Sequence, residues 1–116
     1  MTREDLRKAV VNAALEGYQT VGHNPVVFEQ SQSGFFSLCL PGLRRLETVH
    51  DELPSAGPDL EDFRQLGARG LEVWALVPLS SMWEAHGRFR GVADRIQAWW
   101  WDGEDKRVKF GVPEMP

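Results

Sequence analysis

The sequence predicts an α/β domain, on three observations. Leu71–Val77 is a near-continuous apolar run, as expected of a strand covered on both faces. Ser81-x-x-Glu84 has the form of a helix capping box, and Met82, Ala85, His86 and Phe89 then recur at i, i+3, i+4 and i+7 before Gly91. Ile96–Trp101 reads as a second strand. Strand, capped helix, glycine stop and strand make a βαβ unit, whose strands run parallel through a right-handed crossover. The expected architecture is one α/β domain over residues 1–116. It has a mixed sheet of five or six strands, helices on both faces, and a C-terminal βαβ unit plus hairpin.

Upstream, Thr2 can cap a helix whose first turn holds Glu4 and Asp5, where the helix dipole favours acidic groups. Leu6, Ala9, Val10, Ala13 and Ala14 form its apolar stripe, and Gly17 is expected to end it. Tyr18–Val21 reads as a short strand and Gly22-His23-Asn24-Pro25 as a turn. Val26–Gln30 and Phe35–Leu40 flank the turn Ser31-Gln32-Ser33-Gly34, which predicts a β-hairpin. Apolar groups on both faces of the second of these strands place it centrally in the sheet. After Pro41-Gly42, the spacing of Leu43, Leu46, Val49 and Leu53 predicts a helix ending before Pro54. Pro54-Ser55-Ala56-Gly57 is a turn within the domain. Pro58 then opens a short helix with Leu60, Phe63 and Leu66 on its buried edge, closed by Gly70. Beyond the βαβ unit, Asp102-Gly103-Glu104-Asp105 turns the chain into a half-exposed edge strand over Val108–Val112.

Composition narrows the function classes. Hydrophobic content of 42% and charged content of 26% are ordinary for a globular protein, and 116 residues accommodate one core. No apolar run approaches the roughly 20 residues that cross a bilayer, and the charged start Met1–Asp5 is unlike a signal peptide. The cytoplasm is therefore the expected compartment, with no membrane association. A net charge of −4 lacks the basic surplus that neutralises phosphates, so nucleic acid is not an expected partner. The single cysteine, Cys39, forms no intramolecular disulfide and reads as a core thiol. Phosphate-loop, dinucleotide and nucleophile-elbow motifs are absent, and no cofactor is expected.

Trp99-Trp100-Trp101 is the rarest local feature. On a strand Trp100 shares a face with Ile96 and Ala98, while Trp99 and Trp101 share the other with Gln97. One face is core; the other mixes polar and aromatic groups beside an edge strand that carries Phe110. Trp99, Trp101 and Phe110 are thus the interface candidates, since tryptophan concentrates binding energy and exposed edges recruit strands. The leading expectation is a non-enzymatic binding or assembly module, its partner another protein or a second copy in a homodimer. Replacing Trp99 and Trp101 by Gln should then leave the fold intact and favour the monomer.

His50-Asp51-Glu52 is the densest set of potential metal ligands. On a helix, however, adjacent residues diverge, and no zinc-type spacing accompanies them, so the group reads as a solvated helix end. His86, on an apolar stripe, reads as a core histidine, and His23, in its turn, as the most accessible one.

The order helix, strand, strand, strand, helical segment, strand over roughly residues 3–77 resembles the core of the restriction-endonuclease-like fold, the PD-(D/E)xK nucleases. The resemblance implies a divalent-metal site for phosphodiester hydrolysis, with an acidic residue near the second core strand and a Glu-x-Lys on the third. Glu29 falls at the first place. The third strand reads Phe36-Ser37-Leu38-Cys39, without carboxylate or lysine, whereas such hydrolysis needs clustered carboxylates. A non-catalytic relative is what the resemblance then implies. The alternative is a migrated metal site built from Glu29, Asp51 and Glu52, with Glu72 or Asp94 as further carboxylates. A third reading is a small-molecule sensor or carrier with a pocket at the carboxyl ends of the parallel strands, near Pro78–Ser81 or Asp102.

Overall fold

The computed structural model describes residues 2–30, 35–50 and 70–116. Thr2 opens helix α1 (Arg3–Thr20) with a complete capping box: the Asp5 amide donates to Thr2 Oγ1 and the Thr2 amide to Asp5 Oδ2, both at 3.1 Å. Gly17 does not end the helix, and Tyr18–Val21 is not a strand. The buried stripe Val10–Ala14 continues one turn to Tyr18, whose hydroxyl reaches the sheet. A glycine costs a helix only about 1 kcal/mol, less than this packing contributes. The chain leaves the helix at Gly22, whose φ of +88° suits glycine.

Six strands follow: β1 (Val26–Gln30), β2 (Phe35–Leu40), β3 (Arg45–Val49), β4 (Glu72–Pro78), β5 (Arg95–Asp102) and β6 (Arg107–Phe110). They pair in chain order in a strongly curled, half-barrel sheet. β1, β2 and β3 form an antiparallel meander, β3, β4 and β5 run parallel, and β6 returns antiparallel to β5. The predicted hairpin over 26–40, the βαβ unit and the C-terminal hairpin are all present.

The helix expected from Leu43, Leu46 and Val49 is instead a 3-10 turn, Pro41–Leu43, and strand β3. Both faces of β3 are covered, so Glu47, Thr48 and His50 are buried with Leu46 and Val49. Buried polar groups erase the alternation that marks a strand and leave a helix-like leucine spacing behind. Leu53, the turn at 54–57 and the predicted helix over 58–69 lie outside the described residues.

Helix α2 (Met82–Arg88) joins β4 to β5, but the Ser81–Glu84 capping box does not form. The chain enters α2 through a 3-10 turn, Leu79–Ser81; Ser81 makes no side-chain cap bond, and Glu84 pairs forward with Arg88 at 2.7 Å. Thr2→Ala is accordingly expected to lower stability by about 0.5–2 kcal/mol, while Ser81→Ala stays within roughly 0.5 kcal/mol. Urea midpoints of the two variants test this; a larger loss at Ser81 would restore the cap.

The helices lie on opposite faces. α1 covers Leu38, Val49, Leu76, Trp99 and Val108 with Val10, Val11 and Ala14. Ala85 and Phe89 cover Val73, Ala75, Val77 and Ile96. The last hairpin turns at Asp102, whose Oδ1 accepts the Glu104 and Asp105 amides, and Lys109 sits 2.6 Å from Asp102 Oδ2. β6 ends at Phe110, short of Val112, which is exposed. No helix among the described residues is long and apolar enough to cross a membrane.

Candidate functional site: a pocket beneath the first helix

Ala13, Ala14 and Gly17 put small groups on the part of α1 that faces the sheet, and a pocket of about 280 Å³ lies there. Its chemistry comes from Tyr18 on α1, Arg45 and Glu47 on β3, Trp74 on β4, Gln97 on β5 and Phe110 on β6. The strand register brings them together, with Glu47 opposite Trp74 and Leu76 opposite Gln97.

Glu47 is the centre of this group. It is 2% exposed, and its Oε1 accepts the Tyr18 hydroxyl at 2.5 Å, while Oε2 has no hydrogen-bond partner among the described residues. Arg45 Nη1 donates to the Tyr18 oxygen at 3.3 Å, and its guanidinium lies 4.0 Å from the Trp74 ring centroid. The other side of that guanidinium is matched by Glu72, 3.3 Å from Nε, which also accepts the Trp74 indole N–H. Burial pushes the Glu47 carboxyl above its usual range, opposed by the Tyr18 hydrogen bond and the Arg45 charge. Burial and then Glu47 raise the Tyr18 phenol too, so Tyr18 remains a protonated donor at neutral pH.

A raised carboxyl has a definite sign in stability. Above its ordinary 4.5, folded Glu47 still holds a proton that the unfolded chain has released. Stability contributed at this site therefore falls as pH rises from about 4.5 through the raised value, and is level beyond it. Glu47→Gln should remove that fall. Urea midpoints of wild type and variant between pH 4 and pH 8 isolate it, because the other carboxylates are common to both; parallel curves would refute the assignment.

The sequence-derived candidates are dispersed. Trp99 is not exposed as expected: it is 4% accessible, and its indole N–H donates to the His50 carbonyl at 2.9 Å. Trp101 is 38% exposed, and Phe110 is half-buried at the pocket. His50 is not at a solvated helix end but buried at the end of β3, its Nε2 2.8 Å from Thr48 Oγ1. His86 is half-buried and not a core histidine, lying 3.4 Å from Glu114. His23 meets the Tyr18 ring edge-on. Cys39 is only half-buried.

Asp51, Glu52 and the side chain of Glu29 lie outside the described residues. Glu72 serves Arg45 and Trp74, and Asp94 Oδ2 accepts the Val73 amide at 2.8 Å. With Arg45–Val49 a strand and Tyr18 in α1, the third strand in chain order reads Glu47-Thr48-Val49, with valine where the nuclease pattern has lysine. The pocket lies toward the amino ends of β3 and β4, not at the carboxyl ends expected for a sensor. Comparisons with protein-family models, curated proteins and solved structures give no match to this chain.

Proposed function

We propose that this chain is a non-enzymatic binding module, and that it holds a compact small molecule in the pocket beneath α1. The observation that carries the reading is the pocket of about 280 Å³ itself, an apolar space on which Tyr18, Arg45, Glu47 and Gln97 converge as the few polar groups. At about 280 Å³ the pocket falls just below the usual range of small-molecule sites, which favours a compact ligand. Aromatic and alanine walls favour an apolar body. The assembly alternative is left with Trp101 and Phe110 at the sheet edge, since Trp99 is core. The nuclease-like alternative rests on Glu29, Asp51 and Glu52, whose side chains lie outside the described residues; among the described residues no three such ligands gather.

Gly17 supplies the test. A Cβ added there meets no atom within 4 Å, and Gly17 lines the pocket. Gly17→Leu should stabilise α1 by up to about 1 kcal/mol while filling the pocket. Phenol, benzamide and benzylamine, titrated against wild type and followed by amide chemical shifts, are expected to move Gly17, Tyr18 and Gln97. In Gly17→Leu the response of Tyr18 and Gln97 should vanish. Shifts elsewhere only, or unchanged in the variant, would overturn the reading.

A further inference from the structure

Resting on the pocket reading above, we propose that the ligand is an uncharged aromatic molecule, and that the pocket turns away ions because its own charged groups already balance one another. Arg45 is the centre of that balance. Its Nη1 donates to the Tyr18 oxygen at 3.3 Å, its Nε lies 3.3 Å from Glu72 on β4, and its guanidinium carbon is 4.0 Å from the Trp74 ring centroid. Its charge also acts on Glu47, whose Oε1 accepts the Tyr18 hydroxyl and whose Oε2 is closed to solvent.

Either kind of ionic guest meets a difficulty here. A carboxylate would have to share Arg45 with Glu72 and Glu47, and so stand beside two other carboxyl groups. An ammonium would find Glu47 out of reach, and Glu72 engaged by Arg45 and the Trp74 indole N–H. An ion that gives up water without gaining an unshared partner binds poorly.

What stays open to a guest is apolar and aromatic. Tyr18 from α1, Trp74 from β4 and Phe110 from β6 reach the space from three elements, and ring pairs attract beyond the area they bury. Ala13, Ala14 and Gly17 keep the α1 wall shallow, which leaves room for a ring in about 280 Å³. One acceptor remains. Gln97 gives its amide nitrogen to the Gly111 carbonyl at 2.8 Å, and its side-chain oxygen accepts no hydrogen bond among the described residues. A single hydroxyl or N–H on the ring suits that oxygen.

Calorimetry at neutral pH with phenol, cyclohexanol, benzoate and benzylammonium tests this. Each probe is built on one six-membered ring, and the first two carry the same hydroxyl. Phenol should bind most tightly, ahead of cyclohexanol by about two- to tenfold, the worth of one ring pair. Both ions should bind about tenfold or more weakly than phenol. Glu72→Gln, at an exposed position, takes one counter-charge from Arg45, so benzoate should gain on phenol by about two- to fivefold. Gly17→Leu should abolish binding of every probe. Cyclohexanol, benzoate or benzylammonium binding at least as tightly as phenol would overturn the inference and leave the pocket reading standing. So would a benzoate-to-phenol ratio unmoved by Glu72→Gln. Binding of none of the four, or binding untouched by Gly17→Leu, would overturn both.

Discussion

Trp99→Ala is expected to cost about 3–5 kcal/mol, the range for deleting a buried aromatic side chain. Total stability of a domain this size is roughly 5–15 kcal/mol, so the variant should stand near its unfolding threshold. Two interactions are lost together. The ring packs on the α1 side with Val10, Leu76 and Val108, and the indole N–H satisfies the carbonyl of His50, itself buried at the end of β3. Trp99→Phe separates them: the ring body remains, and losing the hydrogen bond to the His50 carbonyl alone should cost about 0.5–1.5 kcal/mol. Trp101, two residues on and on the same face, is 38% exposed, and Trp101→Gln should stay within roughly 0.5 kcal/mol. Urea unfolding followed by circular dichroism measures all three. Equal midpoints for Trp99→Ala and Trp101→Gln would mean that Trp99 is not core. The double replacement by Gln, expected from the sequence to spare the fold, should now unfold it through Trp99.

That contrast shows where sequence reasoning ends. Strand periodicity correctly puts Trp99 and Trp101 on one face. It cannot say that α1 covers that face near Trp99 and gives out near Trp101, because this depends on where a helix distant in the sequence docks. The βαβ unit was legible because its strand, helix and glycine stop are local signals: a continuous apolar run, a 3.6-residue stripe, and Gly91 with φ of +74°. The Thr2 cap was legible for the same reason. The Ser81 cap failed although the motif was present, because a 3-10 turn delivers the chain to α2 with Ser81 in the wrong conformation.

The pocket was hidden more deeply. Arg45-Leu46-Glu47-Thr48-Val49 carries too many polar residues to read as a doubly covered strand, and its leucine spacing imitates a helix. On a helix Glu47 would stand outside the sheet and away from Trp74 and Gln97. The local pattern places Tyr18 in a strand, and Trp74 is one residue of an apolar run. Ala13, Ala14 and Gly17 are informative only once it is known that they face the sheet. One signal was available: a glutamate and an arginine two apart, flanked by β-branched and leucine residues, are compatible with a single strand face.

Phe89→Ala is expected to match Trp99→Ala, at about 3–5 kcal/mol, through the opposite face of the sheet. Phe89 is 0% exposed and is the largest fully buried side chain among the described residues. Its ring fills the space bounded by Val73, Ala75, Val77 and Ile96 from the sheet and Ala85 from α2, with the His50 imidazole 5.6 Å away. Its carbonyl accepts the Val92 and Ala93 amides at 2.9 and 3.0 Å, so the residue also starts the turn that returns the chain to β5. Alanine preserves those backbone bonds and removes the packing alone. Seven residues are too few for α2 to persist by its own hydrogen bonds, so its position depends on what Ala85 and Phe89 bury. Two readouts should therefore move together: the urea midpoint falls, and the amides of Ala85 and Phe89 exchange faster with solvent. Trp83 provides the control on the same helix, since at 93% exposure its replacement by alanine should change stability by no more than roughly 0.5 kcal/mol. If Phe89→Ala proved no more damaging than Trp83→Ala, the crossover helix would have to be held by something other than this ring.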